Sequence, residues 1–99
     1  MAESNSREFV KYDFYRVDPL WRRLPQEERE DNRREFCAVV DELASGMFIR
    51  SFSLVGLRGD ADILLWEAST SLEQLQEGAT RLRSTALGRY MELPYSYLS

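Results

Sequence analysis

The side chains that could do chemistry are few, and the commonest of them is missing. The chain has no histidine, which removes the usual general base, metal ligand and haem ligand. No nucleophile stands beside a base. Cys37 is the single cysteine, so no intramolecular disulfide forms. It adjoins Phe36, three residues before Val40, and reads as a small buried hydrophobe rather than a thiolate. Asp60, Asp62 and Glu67 lack the spacing of a metal loop, and Asp60 reads as a turn residue. The segment GLRG at Gly56–Gly59 lacks the spacing and lysine of a phosphate loop. No catalytic residue and no metal site are expected on this chain. Arg50, Arg58 and Arg89 are the candidates for cofactor contact, because guanidinium groups pair with carboxylates such as porphyrin propionates. For each of them a solvated surface arginine is the competing reading. Tyr12, Tyr15, Trp21, Trp66, Tyr90, Tyr95 and Tyr97 are amphipathic aromatics that suit interfaces and planar-ligand pockets; core or subunit contact is the stronger expectation.

The elements that position these residues follow from periodicity. Residues 8–17, EFVKYDFYRV, read as a strand: Val10, Tyr12 and Phe14 alternate with Lys11 and Asp13, while Phe9, Tyr15 and Val17 make the other face apolar too. DPLWRRL at 18–24 is a connection. Pro25 sits where a helix can begin, and the helix runs from about 25 to 45. Its first turn is acidic, which suits the helix dipole. Phe36, Val39, Val40 and Leu43 form its buried stripe. The charged run from Glu27 to Glu35 mixes acids with arginines and reads as a solvated face with Glu30–Arg34 support. Ser45-Gly46 is a C-cap signal. Met47–Val55 is a second strand, Gly56–Asp60 a turn with its reversal at Gly59-Asp60, and Ala61–Ala68 a third strand. Thr70 to Glu73 fits a capping box. The helix it opens runs to about Arg83 with Leu72, Leu75, Ala79 and Leu82 inward, and Gly88 lies past its end. Met91–Leu98 is a final strand that Pro94 confines to a sheet edge or a strand start. Residues 1–7 are expected to fray.

This order is βαββαβ, the ferredoxin-like pattern: an α+β fold with an antiparallel sheet and two helices on one face. The 99 residues make one domain, 43% apolar, with a net charge of −4. That charge argues against nucleic acid, which requires a basic footprint, and weakly against an anionic membrane surface. No apolar run approaches the roughly 18 residues of a membrane helix, and no secretory leader is visible. A cytoplasmic protein is the expectation.

One helix layer covers one sheet face, yet both faces are apolar. The strand at 61–68 carries Leu64 and Trp66 on one side and Ile63 and Leu65 on the other. The strand at 47–55 carries Phe48, Phe52 and Leu54 against Met47, Ile49 and Val55. A bare face facing water would be polar, and this one is larger than a monomer normally exposes. The expectation is a second sheet packed on it, giving a dimeric α+β barrel. The candidate interface residues are Met47, Ile49, Ile63, Leu65, Leu64, Trp66, Phe52 and Tyr12, with the face left open.

The segments SLVGLRGDADILLW, SLEQLQ and LGRYMELPYSYLS, with the opening FVKYDFYRVDPLWRRLPQEER, resemble the N-terminal half of the chlorite dismutase family, which includes the coproheme decarboxylases. The resemblance covers roughly residues 8–99. It implies longer relatives with two ferredoxin-like repeats packed sheet to sheet in oligomeric rings, commonly pentamers. Haem, the proximal histidine and the distal catalytic residue belong to the second repeat, so no position here receives those roles. The implied function is a scaffold or partner subunit of a haem protein, acting with a histidine-bearing second-repeat chain in haem or coproheme chemistry, with no cofactor held by this chain alone. The alternatives are a homo-oligomeric barrel of two copies that binds a small molecule or porphyrin, and a structural interaction domain.

Overall fold

The computed structural model describes residues 8–54 and 61–99. The expectations for residues 1–7, for Val55 and for the Gly56–Asp60 turn with Arg58 lie outside the described residues. The first strand, Phe9–Val17 (β1), leads into a one-turn helix, Pro19–Arg22 (α1), within the stretch expected to be a plain connection. Asp18 starts that turn by accepting from Leu20 N, with Pro19 at its first position, a role that suits a residue with no N–H to leave unpaired. The long helix Gln26–Ala44 (α2) follows, with Pro25 as its N-cap residue. Strands Phe48–Ser53 (β2) and Ile63–Ser69 (β3) come next, then helix Leu72–Arg83 (α3), a 3-10 turn at Gly88–Tyr90, and strand Met91–Leu98 (β4).

The strands form one sheet in the order β2-β3-β1-β4, and every neighbouring pair is antiparallel. β4 is an edge strand, as Pro94 requires. The register alternates cleanly: Tyr15 faces Ile63 and Asp13 faces Leu65, whereas Tyr12 faces Trp66 and Phe14 faces Leu64. The first set lies under the helices. Tyr15, Val17, Ile49, Leu65, Leu82, Leu87 and Met91 are buried there with Trp21 and Phe36, and Met47, Ile63, Val39, Val40 and Leu43 pack against them.

Three local expectations are corrected. The cap of α3 is Ser71, whose hydroxyl accepts from Gln74 N at 3.1 Å; Thr70 is exposed. Ser71 has the extended backbone of an N-cap residue, and Ser69 Oγ accepts from Ser71 N, which holds the entry to the helix one residue later than a Thr70 cap would. Gly78, rather than Ala79, is the buried member of α3's inner face, and Leu72 is exposed. Gly78 allows a close approach: a Cβ there would sit 3.5 Å from Leu43 of α2 and 4.0 Å from Glu67 of β3. Gly88 does not merely follow the helix. It folds back on α3's end, where a Cβ would lie 2.0 Å from Leu82 O, and Thr85 Oγ1 accepts from Gly88 N at 3.0 Å.

Candidate functional site

The face of the sheet away from the helices is an aromatic surface. β1 contributes Tyr12 and Phe14, β2 contributes Phe48 and Phe52, β3 contributes Leu64 and Trp66, and β4 contributes Tyr95 and Tyr97, all at paired register positions. The rings lock one another in place. Tyr12 stacks on Trp66 with centroids 6.0 Å apart, and Phe48 meets Trp66 edge-on at 5.0 Å. Phe14 meets Tyr95 at 6.3 Å and Tyr97 at 6.1 Å, both edge-on. Such pairs rigidify a surface before anything docks on it. The surface remains wet: Phe48, Phe52, Tyr95 and Tyr97 expose 36%, 46%, 40% and 57% of their area. Cationic and ionic groups fringe it. The Arg50 guanidinium lies 4.8 Å from the Phe48 ring centroid, and Arg16 pairs with Glu92 at 3.0 Å.

The helix side of the sheet holds a second chemical feature. Asp13 and Glu67 are fully buried. Lys11 Nζ contacts Asp13 Oδ2 at 3.0 Å, Ser96 Oγ donates to Asp13 Oδ1 at 2.6 Å, and Tyr15 Oη donates to Asp13 Oδ2 at 3.3 Å. Among the described residues, neither oxygen of Glu67 has a donor. Burial first, then the charge of Asp13, pushes the Glu67 carboxyl up to about 7, with Lys11 opposing. Burial and Asp13 also drive the Tyr15 hydroxyl well above its usual range.

The expected interface residues divide between the two faces. Tyr12, Phe52, Leu64 and Trp66 lie on the open aromatic face. Ile49 and Leu65 are buried in the core, and Met47 and Ile63 pack against it, so the helices already cover these four. The expected cofactor arginines do not converge. Arg50 is on edge strand β2 and Arg89 in the turn leading to the opposite edge strand, β4; Arg58 lies outside the described residues. Cys37 is exposed, not buried as its neighbours suggested, because the inward stripe of α2 runs through Phe36 and Val40 and turns Cys37 outward. A groove of about 400 Å³ at the α1 end is floored by Trp21, Phe36, Ile63 and Leu87. The two arginines at its rim are engaged, Arg33 on the Trp21 ring at 5.4 Å and Arg22 with Asp62 at 3.9 Å. A second groove, between α2 and α3, is edged by Glu42, Glu73, Glu77 and Arg81. Phe52, at the edge of the aromatic face, also lines the first groove, and among the described residues no three acid or thiol side chains gather to hold a metal.

Sequence reasoning missed the Asp13–Glu67 pair. Its signal was parity: Asp13 shares the strand face of Tyr15 and Val17, and Glu67 that of Ile63 and Leu65, so both acids occupy core positions.

A family model described as Chlorite dismutase matches residues 29–99. Among solved structures, the chlorite dismutase of Candidatus Nitrospira defluvii in complex with imidazole is similar to this chain, with a TM-score of 0.88 at 22% identity over 95% of this chain and 40% of that one. A mutant of the same enzyme gives 0.87 at 22% identity over 92% and 38%. A structure described as a novel haem-binding protein from Thermus thermophilus gives 0.80 at 28% identity over 93% and 39%. The chain thus spans 38% to 40% of the length of these neighbours. The βαββαβ sheet, its register and the match over residues 29–99 lead to one conclusion: the chain belongs to the chlorite dismutase family.

Proposed function

We propose that this chain is the scaffold half of a haem protein, and that a second, histidine-bearing ferredoxin-like repeat covers its open sheet face and holds the haem or coproheme. The carrying observation is the aromatic face itself. Eight paired positions across four strands present rings and Leu64 rather than polar groups, and four of those rings keep more than a third of their surface in water. At about 200 Å² per ring, roughly 350 Å² of aromatic ring surface awaits a cover, the size of a typical monomer's largest apolar patch, which is often functional. The description of the Thermus thermophilus neighbour as haem-binding supports haem as the group involved. The absence of histidine from this sequence supports assigning its ligation to the partner, with haem electronics set there. The role of this chain is to build one wall of the barrel and to complete the oligomer in the cytoplasm.

Adding ferric haem to the purified chain, and to its mixture with a histidine-bearing second repeat of the family, tests this reading through the Soret band. Saturable binding by the mixture and none by the chain alone is expected. Tight, saturable binding by the isolated chain would contradict the division of labour and favour a homo-oligomeric porphyrin binder. Peroxide-dependent turnover by the isolated chain would overturn it as well.

A further inference from the structure

We propose that Asp13 and Glu67 hold one proton between them beneath α3, so that the seating of this helix on the sheet is a proton-dependent latch. Both carboxyls come from adjacent strands and point to the helix-covered side. Asp13 lies opposite Leu65, and Glu67 lies opposite Lys11 on β1 and Ile49 on β2. The two side chains are fully buried and are diagonal neighbours on one face of the β1–β3 pair, since Lys11 is opposite Glu67 and Asp13 opposite Leu65.

Their partners are unequal. Asp13 has Lys11, Ser96 and Tyr15 as donors; among the described residues Glu67 has none. Two carboxylates accept and neither donates, so an unprotonated pair leaves two buried, repelling oxygens. One proton on Glu67 gives it a donor for Asp13 and leaves the single negative charge where Lys11 sits.

The remaining elements offer Glu67 no relief. α3 presents Gly78 above it, α2 presents Leu43 beside Gly78, and β2 presents Ile49. From α3 the charge of Arg83 acts on Tyr15, and the Arg83 side chain is exposed. Ionised Glu67 therefore needs water, and the route to it is separation of α3 from β3 at Gly78. Acid pH closes the latch and alkaline pH loosens it. This is the reverse of ordinary acid denaturation, in which paired carboxylates must take up protons.

The test is a carbon-13 carboxyl NMR titration of the intact chain, read with denaturant unfolding from about pH 4 to about pH 9 for the chain and for Glu67→Gln. Glu67 is expected to titrate near neutrality. Asp13→Asn is expected to move the Glu67 midpoint down. The folding constant of the unmodified chain, relative to Glu67→Gln, is expected to fall on the order of 100-fold between acid and alkaline pH, with amide exchange rising first in α3. Glu67 titrating in the ordinary carboxylate range would overturn the proposal, whether or not the variants fold. Parallel pH profiles for the chain and Glu67→Gln would overturn it too.

Discussion

Replacing Phe52 with serine separates the two faces of the sheet. Phe52 leaves 46% of its surface in water, which for a ring of about 200 Å² is about 90 Å². At about 25 cal/mol per Å², covering that area contributes about 2 kcal/mol to association. Phe52→Ser is therefore expected to weaken the complex with the covering repeat about 30-fold. The covered part of the ring, about 110 Å², rests on the sheet, so the variant also loses up to about 3 kcal/mol of fold stability, an upper bound on extended-chain accounting. Circular dichroism at the assay temperature checks that the chain stays folded. Leu20→Ser is the control: Leu20 is 55% exposed on α1, away from the sheet, and loses similar apolar surface. Titration calorimetry against a histidine-bearing second repeat reads both. A Phe52→Ser dissociation constant within about threefold of the unmodified chain's, or an equal loss for Leu20→Ser, would refute the assignment of the open face as the interface.

Gly88→Ala is expected to destabilise the chain by about 3 kcal/mol or more, since its methyl would meet backbone at Leu82 and Arg83. Gly78→Ala, where only side chains lie at ordinary contact distance, is expected to be neutral or to stabilise by up to about 1 kcal/mol through helix propensity. Thermal unfolding of both variants checks the contrast. Ser71→Ala is expected to cost about 1 kcal/mol and Thr70→Ala almost nothing, by urea unfolding, because Ser71 is the cap of α3. For Glu67 the folded-state value of about 7 stands above the ordinary 4.5. Its contribution is thus whole below about pH 4.5, falls as pH rises toward 7, and is gone above it. The difference between the chain and Glu67→Gln across that window is expected to be about 3 kcal/mol by denaturant unfolding.

Strand identity and facing were legible because period-2 alternation is a local property: Tyr12 and Phe14, Leu64 and Trp66, and Phe48 and Phe52 separate from Tyr15, Leu65 and Ile49 on spacing alone. Which face receives the helices is not local. It follows from where α2 and α3 return across the sheet, so the candidate interface set mixed Met47, Ile49, Ile63 and Leu65 with the open-face residues. The Asp13–Glu67 pair was hidden for a related reason. Alternation with charged Lys11 made Asp13 look like a solvent-face residue, and only the pairing of β1 with β3 brings the two acids together. Cys37 misled because adjacency to Phe36 says little on a helix, where each step turns by about 100°. The Ser71 cap was off by one residue, since Thr70 and Ser71 are chemically equivalent caps and backbone geometry alone chooses between them.

The aromatic sheet face is built to be covered, and a single hydrodynamic experiment decides whether it is. Sedimentation velocity of the purified chain with anilinonaphthalene sulfonate present reads mass and dye on the same boundary. The expected result is either a species heavier than the 11.6 kDa monomer or a monomer that carries dye. A boundary at 11.6 kDa that carries no dye would contradict a face built for a cover.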